Sequence, residues 1–113
     1  MNIIKFVKPN VKEGKKYKGE VTRYDFNEGQ KVLRIYVALD KVSNCEFMKK
    51  VDVNLDINST FANFCLDMGI YFEDDSADLD ELIGSRVVVM LKQGSDGKYY
   101  VNKMQLDEDF CNE

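Results

Sequence analysis

The sequence has no histidine or tryptophan, only one proline and only three cysteines. Without histidine it lacks the commonest general base and the Ser-His and Cys-His nucleophile arrangements. Cys45, Cys65 and Cys111 are far apart and odd in number, with no C-x-x-C pair, so we expect reduced thiols and no zinc site. We therefore expect no enzymatic activity, no metal and no cofactor.

Long apolar runs are also absent. No stretch approaches the roughly 20 apolar residues of a membrane span, and the run Met1 to Val7 is too short for a signal peptide and is broken by Lys5. A cytoplasmic protein is expected. The length of 113 residues fits one domain, which we assign to residues 1–106, followed by an acidic flexible tail of residues 107–113.

Charge is present in quantity but unevenly distributed. The net charge is −4, yet residues 1–55 carry 12 Lys and Arg against 7 Asp and Glu, whereas residues 56–113 carry 4 against 13. The two segments therefore stand at +5 and −9. This asymmetry predicts a cationic surface on the first strands and an acidic surface on the later loop and tail.

The order of the periodic segments predicts the fold. Alternating apolar and polar residues indicate strands, and apolar residues spaced three and four apart indicate a helix. The predicted elements are strands Tyr17–Phe26, Lys31–Leu39 and Glu46–Leu55, a helix Thr60–Ile70, and strands Ser85–Lys92 and Lys98–Met104. Three strands, one helix and two strands is the order of the OB-fold, a five-stranded barrel whose second and third strands often bind nucleic acid.

The outward face of the first three strands is the candidate binding site. Single-stranded nucleic acid needs cations for its phosphates and aromatic rings on which its bases stack. The residues that we assign to nucleic-acid binding are Tyr24, Phe26, Arg34, Tyr36, Lys49, Lys50 and Asn54. Alternatively, the three aromatic rings cover the barrel beneath a loop. Adjacent strand residues point to opposite faces, so one of Tyr99 and Tyr100 faces outward, and the pattern leaves open which one.

Several segments carry a family resemblance. They are Tyr17-Lys18-Gly19-Glu20-Val21, the helix ending in Met-Gly-Ile, Leu82-Ile83-Gly84-Ser85-Arg86-Val87-Val88-Val89, and Lys98-Tyr99-Tyr100-Val101. Together they resemble small OB-fold single-stranded-DNA-binding proteins of phages and mobile elements in Gram-positive bacteria, although Ser-Arg replaces the usual lysine after the glycine. The resemblance implies non-catalytic work on single-stranded DNA in replication or recombination.

The acidic C-terminus supports a partner hypothesis and an alternative function. The C-terminal segment resembles the partner-recruiting tips of bacterial single-stranded-DNA-binding proteins. We assign to the binding of replication or recombination proteins the residues Asp107, Glu108, Asp109 and Phe110. A solvated terminus is the simpler interpretation. The alternative function is an acidic protein-interaction module, for example a nuclease inhibitor that imitates nucleic-acid charge. The sequence leaves open the choice of DNA or RNA and the oligomeric state.

Overall fold

A computed structural model describes residues 3–4, 9–42, 45–74 and 76–107 of the chain. Its strands are β1 (Lys16–Asn27), β2 (Val32–Leu39), β3 (Glu46–Asp52), β4 (Arg86–Gln93) and β5 (Tyr99–Leu106). One α-helix, α1 (Thr60–Asp67), and a 3-10 helix (Leu79–Leu82) lie between β3 and β4. None of the helices in the described ranges is long and apolar enough to cross a membrane.

The strands form one antiparallel sheet in the order β3-β2-β1-β4-β5. The edge strands β3 and β5 approach each other closely enough for the Lys49 Nζ on β3 to donate a hydrogen bond to the Asn102 carbonyl on β5 at 3.0 Å. Among the described residues, no backbone strand pairing joins the two edges. The prediction of a mostly β fold with five strands and one helix is confirmed, in the form of a sheet that backbone hydrogen bonds do not close.

The core lies against one face of the sheet, which we call the inner face. Leu33, Ile35 and Val37 on β2 are fully buried, as their alternation predicts, and so are Val87 and Val89 on β4. Cys65, Met68 and Ile70 from the helical segment pack in the same cluster. Burying each large aliphatic side chain contributes about 1.5–3 kcal/mol, so this face fixes the register of the sheet.

Helix α1 is bounded by the capping residue Ser59 and by Gly69. The Ser59 Oγ accepts a hydrogen bond from the Ala62 amide at 3.1 Å, which satisfies one of the free donors of the first turn. At the other end Gly69 has a φ of +78°, and the Ile70 amide returns to the Cys65 carbonyl at 2.9 Å. The left-handed glycine stops the helix after Asp67, three residues before the predicted end at Ile70.

Strand β3 also ends earlier than predicted. The sequence predicts a strand to Leu55 with that side chain inward, but β3 stops at Asp52 and Leu55 is 79% exposed. The Asn54 Oδ1 accepts from the Asp56 amide at 2.9 Å, and the Asp56 Oδ1 accepts from the Asn58 amide at 2.8 Å. These Asx turns replace the extended backbone, so the alternation of the strand no longer holds at Leu55.

The 3-10 helix is an element that the sequence analysis does not predict. It occupies the segment Leu-Asp-Glu-Leu and follows the N-cap residue Asp78, whose side chain accepts from the Asp80 amide at 3.0 Å. Its last residue, Leu82, is fully buried and anchors the segment on the core. A segment of one turn is too short to show helical periodicity, which is why the pattern did not reveal it.

Candidate functional site

The outer face of the sheet, opposite the core, brings together part of the predicted binding site. Tyr36 on β2 lies opposite Arg23 on β1. Arg34, two residues before it, lies between Asp25 on β1 and Lys50 on β3. Of the residues assigned from the sequence, the structure therefore places Arg34, Tyr36 and Lys50 side by side on the outer face.

A bulge in β1 changes which aromatic residues lie on that face. The pairing of β1 with β2 shifts by one residue between Val21 and Arg23. After the shift, Tyr24 and Phe26 lie opposite core residues of β2, so they belong to the inner face. Their predicted outward placement is wrong, because one inserted residue exchanges the two faces of a strand from that point onward. Arg23, which lies opposite Tyr36, is on the outer face instead.

Tyr24 and Phe26 have structural surroundings that agree with the inner face. The Tyr24 hydroxyl donates to the Asp80 Oδ1 at 2.5 Å, and this hydrogen bond to a carboxylate raises the pKa of the phenol. Tyr24 also packs against the core cluster. Phe26, which is 36% exposed, lines an apolar hollow between the sheet and α1. Neither ring is available to a ligand on the outer face.

The centre of the outer face is a stacked pair of side chains. The guanidinium carbon of Arg23 lies 3.8 Å from the centroid of the Tyr36 ring, a cation–π arrangement. Glu46 holds the guanidinium in place, accepting from the Arg23 Nε at 3.2 Å and from its Nη2 at 3.1 Å. Hydrogen bonds from the Thr22 hydroxyl and from Arg23 lower the pKa of Glu46, so the carboxylate is ionised at neutral pH.

Arg34 and Lys50 are the cations that stand beside this stack. Within the described part of the chain, neither side chain forms an ion pair or a hydrogen bond. Lys50 is exposed and Arg34 is half-buried. Because no carboxylate among the described residues pairs with them, both can receive an anionic ligand without first breaking an ion pair of that part of the chain.

Lys49 and Asn54 lie elsewhere than the sequence predicts. Lys49 lies opposite Ile35, on the inner side of the β3 edge, and its ammonium donates to the Asn102 carbonyl. Burial lowers the pKa of this ammonium. Asn54 follows the end of β3, where its side chain forms an Asx turn with Asp56. The placement of Asn54 corrects its prediction as an outward residue of the third strand, since β3 ends before it. Lys49, assigned to binding as a neighbouring cation, lies on the inner side, because alternate side chains of β3 point to opposite faces.

Charge on the outer face is balanced around Tyr36. The register places Arg23, Arg34 and Lys50 among Asp25, Glu46 and Asp52. The excess of positive charge lies instead at the start of β1 and on β4 and β5, where acidic residues are fewer. The sequence predicts the cationic surface on the first three strands. In the structure it lies at the start of β1 and on β4 and β5.

We call the second group of cations the lysine patch and define it as Lys16, Lys92 and Lys103 around Met90 and Tyr100. Met90 on β4 lies between Lys16 on β1 and Lys103 on β5, and Lys92 lies opposite Tyr100. Tyr100 is therefore the outward member of its pair, whereas Tyr99 packs on the core. This group is not visible in the sequence, because its members come together only when β4 pairs with both β1 and β5.

Two basic residues beside the lysine patch are already paired within the fold. The Lys18 Nζ lies 3.5 Å from the Asp107 Oδ2. The Arg86 guanidinium donates to both carboxylate oxygens of Asp40, with 2.8 Å between its Nη1 and the Oδ1, and this hydrogen bonding lowers the pKa of Asp40. The first ion pair links β1 to the residue that follows β5, and the second links β4 to the residue that follows β2.

Asp107, the first residue assigned to the acidic tail, is part of the folded region. Asp107 is 6% exposed, its amide donates to the Arg86 carbonyl at 2.9 Å, and its carboxylate faces Lys18. It therefore belongs to the folded sheet. The other residues assigned to partner binding, Glu108, Asp109 and Phe110, lie outside the described residues.

Comparison with known proteins gives no family assignment. No model of a known protein family matches the chain. No curated protein sequence matches it either. The features that can indicate a function are therefore those of the chain itself: the stacked Arg23 and Tyr36, the cations Arg34 and Lys50, and the lysine patch on the same face of the sheet.

Proposed function

We propose that this protein is a non-catalytic module that binds single-stranded DNA across the outer face of its sheet. The observation that carries the proposal is the arrangement around Tyr36, where an aromatic ring and a guanidinium plane stack beside Arg34 and Lys50. Aromatic rings and guanidinium planes are the groups on which unpaired bases stack. The adjacent cations supply charge for the phosphates that flank a stacked base.

The proposed fold is a partly open OB-fold barrel. An OB-fold barrel opened between its third and fifth strands would give the strand order β3-β2-β1-β4-β5, with the helix between the third and fourth strands. The hydrogen bond between Lys49 and Asn102 supports this assignment, because it bridges the two edges that would meet in the barrel. In this fold, the outer face of β2 and β3 is the usual oligonucleotide surface.

The lysine patch extends the proposed path for the nucleic acid. Strand β1 connects the two regions: Arg23 lies opposite Tyr36, and Lys16, seven residues earlier, lies opposite Met90, which at about 3.3 Å per residue separates them by at most roughly 23 Å along the strand. A nucleic acid that stacks a base at Tyr36 would follow β1 over this distance, a span of several nucleotides, to reach Met90 and Lys103. Met90 and Tyr100 give this region apolar surface for further bases, and its lysines add the positive charge that β2 and β3 lack.

Fluorescence anisotropy with a labelled oligo-dT of about 16 nucleotides tests the proposal. We expect tighter binding to oligo-dT than to duplex DNA. Neutralising three or four phosphates gives a log–log salt slope of about −2 to −3, from about 0.7 per phosphate on single strands. No binding to oligo-dT at low salt would contradict the proposal and favour the alternative, an acidic protein-interaction module. A parallel titration with oligo-U separates DNA from RNA.

Two finer parts of the proposal concern its setting. The resemblance noted from the sequence would imply work in replication or recombination of a phage or mobile element, and the short apolar run of residues 1–7 is the basis for a proposed cytoplasmic location. Residues 108–113, which carry Glu108, Asp109 and Phe110, would recruit replication or recombination proteins. Both parts rest on the sequence.

A further inference from the structure

An apolar hollow of about 570 Å³ opens at one end of the molecule, away from the outer face. It lies between the end of β1, the segment after β3, α1 and the segment that precedes the 3-10 helix. Its apolar lining includes Phe26, Leu55, Ile57, Phe61, Phe72 and Leu79. The volume falls within the range of pockets that bind ligands in proteins.

The rim of the hollow keeps large apolar side chains in water. Leu55 is 79% exposed and Ile57 is 56% exposed. The Asx turns at Asn54 and Asp56 shape the segment that carries them, and the Ser59 Oγ donates to the Asn54 carbonyl at 2.8 Å. The local hydrogen bonds thus favour a conformation that presents these side chains outward. Adjacent exposed apolar groups beside a hollow are typical of an interaction site.

Except for Phe26, the residues that line the hollow belong to an acidic stretch of the chain, residues 51–85. No Lys or Arg occurs anywhere between residues 51 and 85, whereas this stretch contains many carboxylates. Asp56 lines the hollow itself. Glu73 and Asp74 form the turn that leads to its lining residue Ser76, with the Ser76 amide bonded to the Glu73 carbonyl at 2.9 Å. A ligand that enters the hollow must therefore be compatible with negative charge around its rim.

We propose that the hollow binds a basic peptide segment of a partner protein, with one large apolar side chain inserted between Leu55, Ile57 and Phe72 and flanking Lys or Arg side chains facing the acidic rim. The charge complementarity argues for this occupant. A nucleic acid would be repelled, and a purely apolar ligand would leave the acidic rim unused. The site shares no residue with the outer face, so this inference does not depend on DNA binding.

Selection from a random peptide-display library tests this inference. The library is selected on the whole protein and counter-selected on the double variant Leu55→Lys/Ile57→Lys, which should fold because both side chains are exposed. The enriched peptides should combine a Leu, Ile, Phe or Met with Lys or Arg. One such peptide is then synthesised, and its binding is measured by calorimetry on each variant.

The variants separate the apolar part of the site from its charge. Leu55→Lys/Ile57→Lys should lower the affinity for the peptide about tenfold or more, the usual effect of losing a central apolar contact. Ile83→Lys, which adds charge at another exposed isoleucine, should have little effect and is the matched control. The double variant Glu73→Gln/Asp74→Asn removes two negative charges with almost no change of shape, and asparagine tolerates the positive φ of Asp74. It should lower the affinity for the peptide and make that affinity less dependent on salt.

Three results would overturn the inference. They are the absence of peptides that depend on Leu55 and Ile57, enrichment of neutral or acidic peptides, and self-association in sedimentation that the double variant abolishes. The last result would assign the hollow to a second copy of the chain.

Discussion

At the residue scale, Tyr36 is central to the proposed interface. Its ring is stacked by Arg23, and Glu46 fixes that guanidinium with two hydrogen bonds. A preordered stack loses less side-chain entropy when a base is added than two freely rotating side chains would lose. The ring is half-buried on the outer face, and the core beneath it is filled by neighbouring β2 residues. We therefore expect Tyr36 to contribute more to the proposed binding than to folding.

Replacing Tyr36 tests this role. Tyr36→Ala should weaken oligo-dT binding by about 1–3 kcal/mol, the range for losing one aromatic stack. Its salt slope should stay nearly unchanged, since no cation is removed. Tyr71→Ala removes an exposed tyrosine that is not on the sheet and should leave the affinity at its wild-type value. A Tyr36→Ala protein that unfolds, with unchanged affinity in its folded fraction, would show that the ring has a structural role only.

The adjacent residues Lys49 and Lys50 provide an internal comparison. Lys50→Met should weaken binding to oligo-dT and reduce the steepness of the salt slope by about 0.7, equivalent to one phosphate. Lys49→Met should leave the slope unchanged, because Lys49 lies on the inner side and bonds the Asn102 carbonyl. Anisotropy titrations at several salt concentrations measure both slopes. A larger effect from Lys49 than from Lys50 would contradict the assignment of faces.

At the element scale, the first strand sets the geometry of the site. β1 pairs with both β2 and β4, and its bulge turns Arg23 outward and Tyr24 inward. Before the bulge, Gly19 lies where β1 passes close to β2: a Cβ at this position would meet the Ala38 carbonyl oxygen at 2.6 Å. The close approach requires glycine, because a backbone carbonyl cannot move aside as a flexible side chain can.

A single methyl group tests that close approach. Gly19→Ala should reduce the free energy of unfolding by about 1–3 kcal/mol, the usual cost of overpacking. Gly29→Ala is the matched control, since its φ is not positive and its nearest neighbour is the Asn27 side chain at 3.4 Å. Urea denaturation followed by circular dichroism measures both. Equal stability of the two variants would show that β1 and β2 can separate without cost.

The elements that the sequence predicts correctly are those governed by local periodicity and capping. The alternation of β2 runs without a bulge, so Leu33, Ile35 and Val37 are buried as predicted. The cap at Ser59 and the glycine at position 69 locate α1. Local patterns of this kind are present in the residues themselves.

The features that the sequence does not predict depend on pairing between distant segments or on turn chemistry. The bulge that moves Tyr24 and Phe26 is visible only in the register against β2. The lysine patch exists because β1 pairs with β4, and β4 pairs with β5. At the end of β3, the Asx turn of Asn54 competes with extended backbone and turns Leu55 into solvent.

At the scale of the whole molecule, two surfaces of opposite charge are separated by the sheet. The outer face has an excess of cations, which lies mainly at the start of β1 and on β4 and β5. Apart from Phe26, the residues that line the hollow lie in a segment without any Lys or Arg, residues 51–85. A polyanion is attracted to the first surface and repelled by the second, so the net charge of −4 does not argue against nucleic-acid binding.

The most direct test of the central claim is a map of backbone amide shifts by NMR during titration with oligo-dT. Binding across the outer face predicts shifts concentrated at Arg23, Arg34, Tyr36 and Lys50, continuing to Met90 and Lys103 of the lysine patch. Amides of residues 53–57 and 76–79 around the hollow should stay unchanged. Shifts confined to the hollow, or no shifts at all at low salt, would contradict the claim that this sheet binds single-stranded DNA.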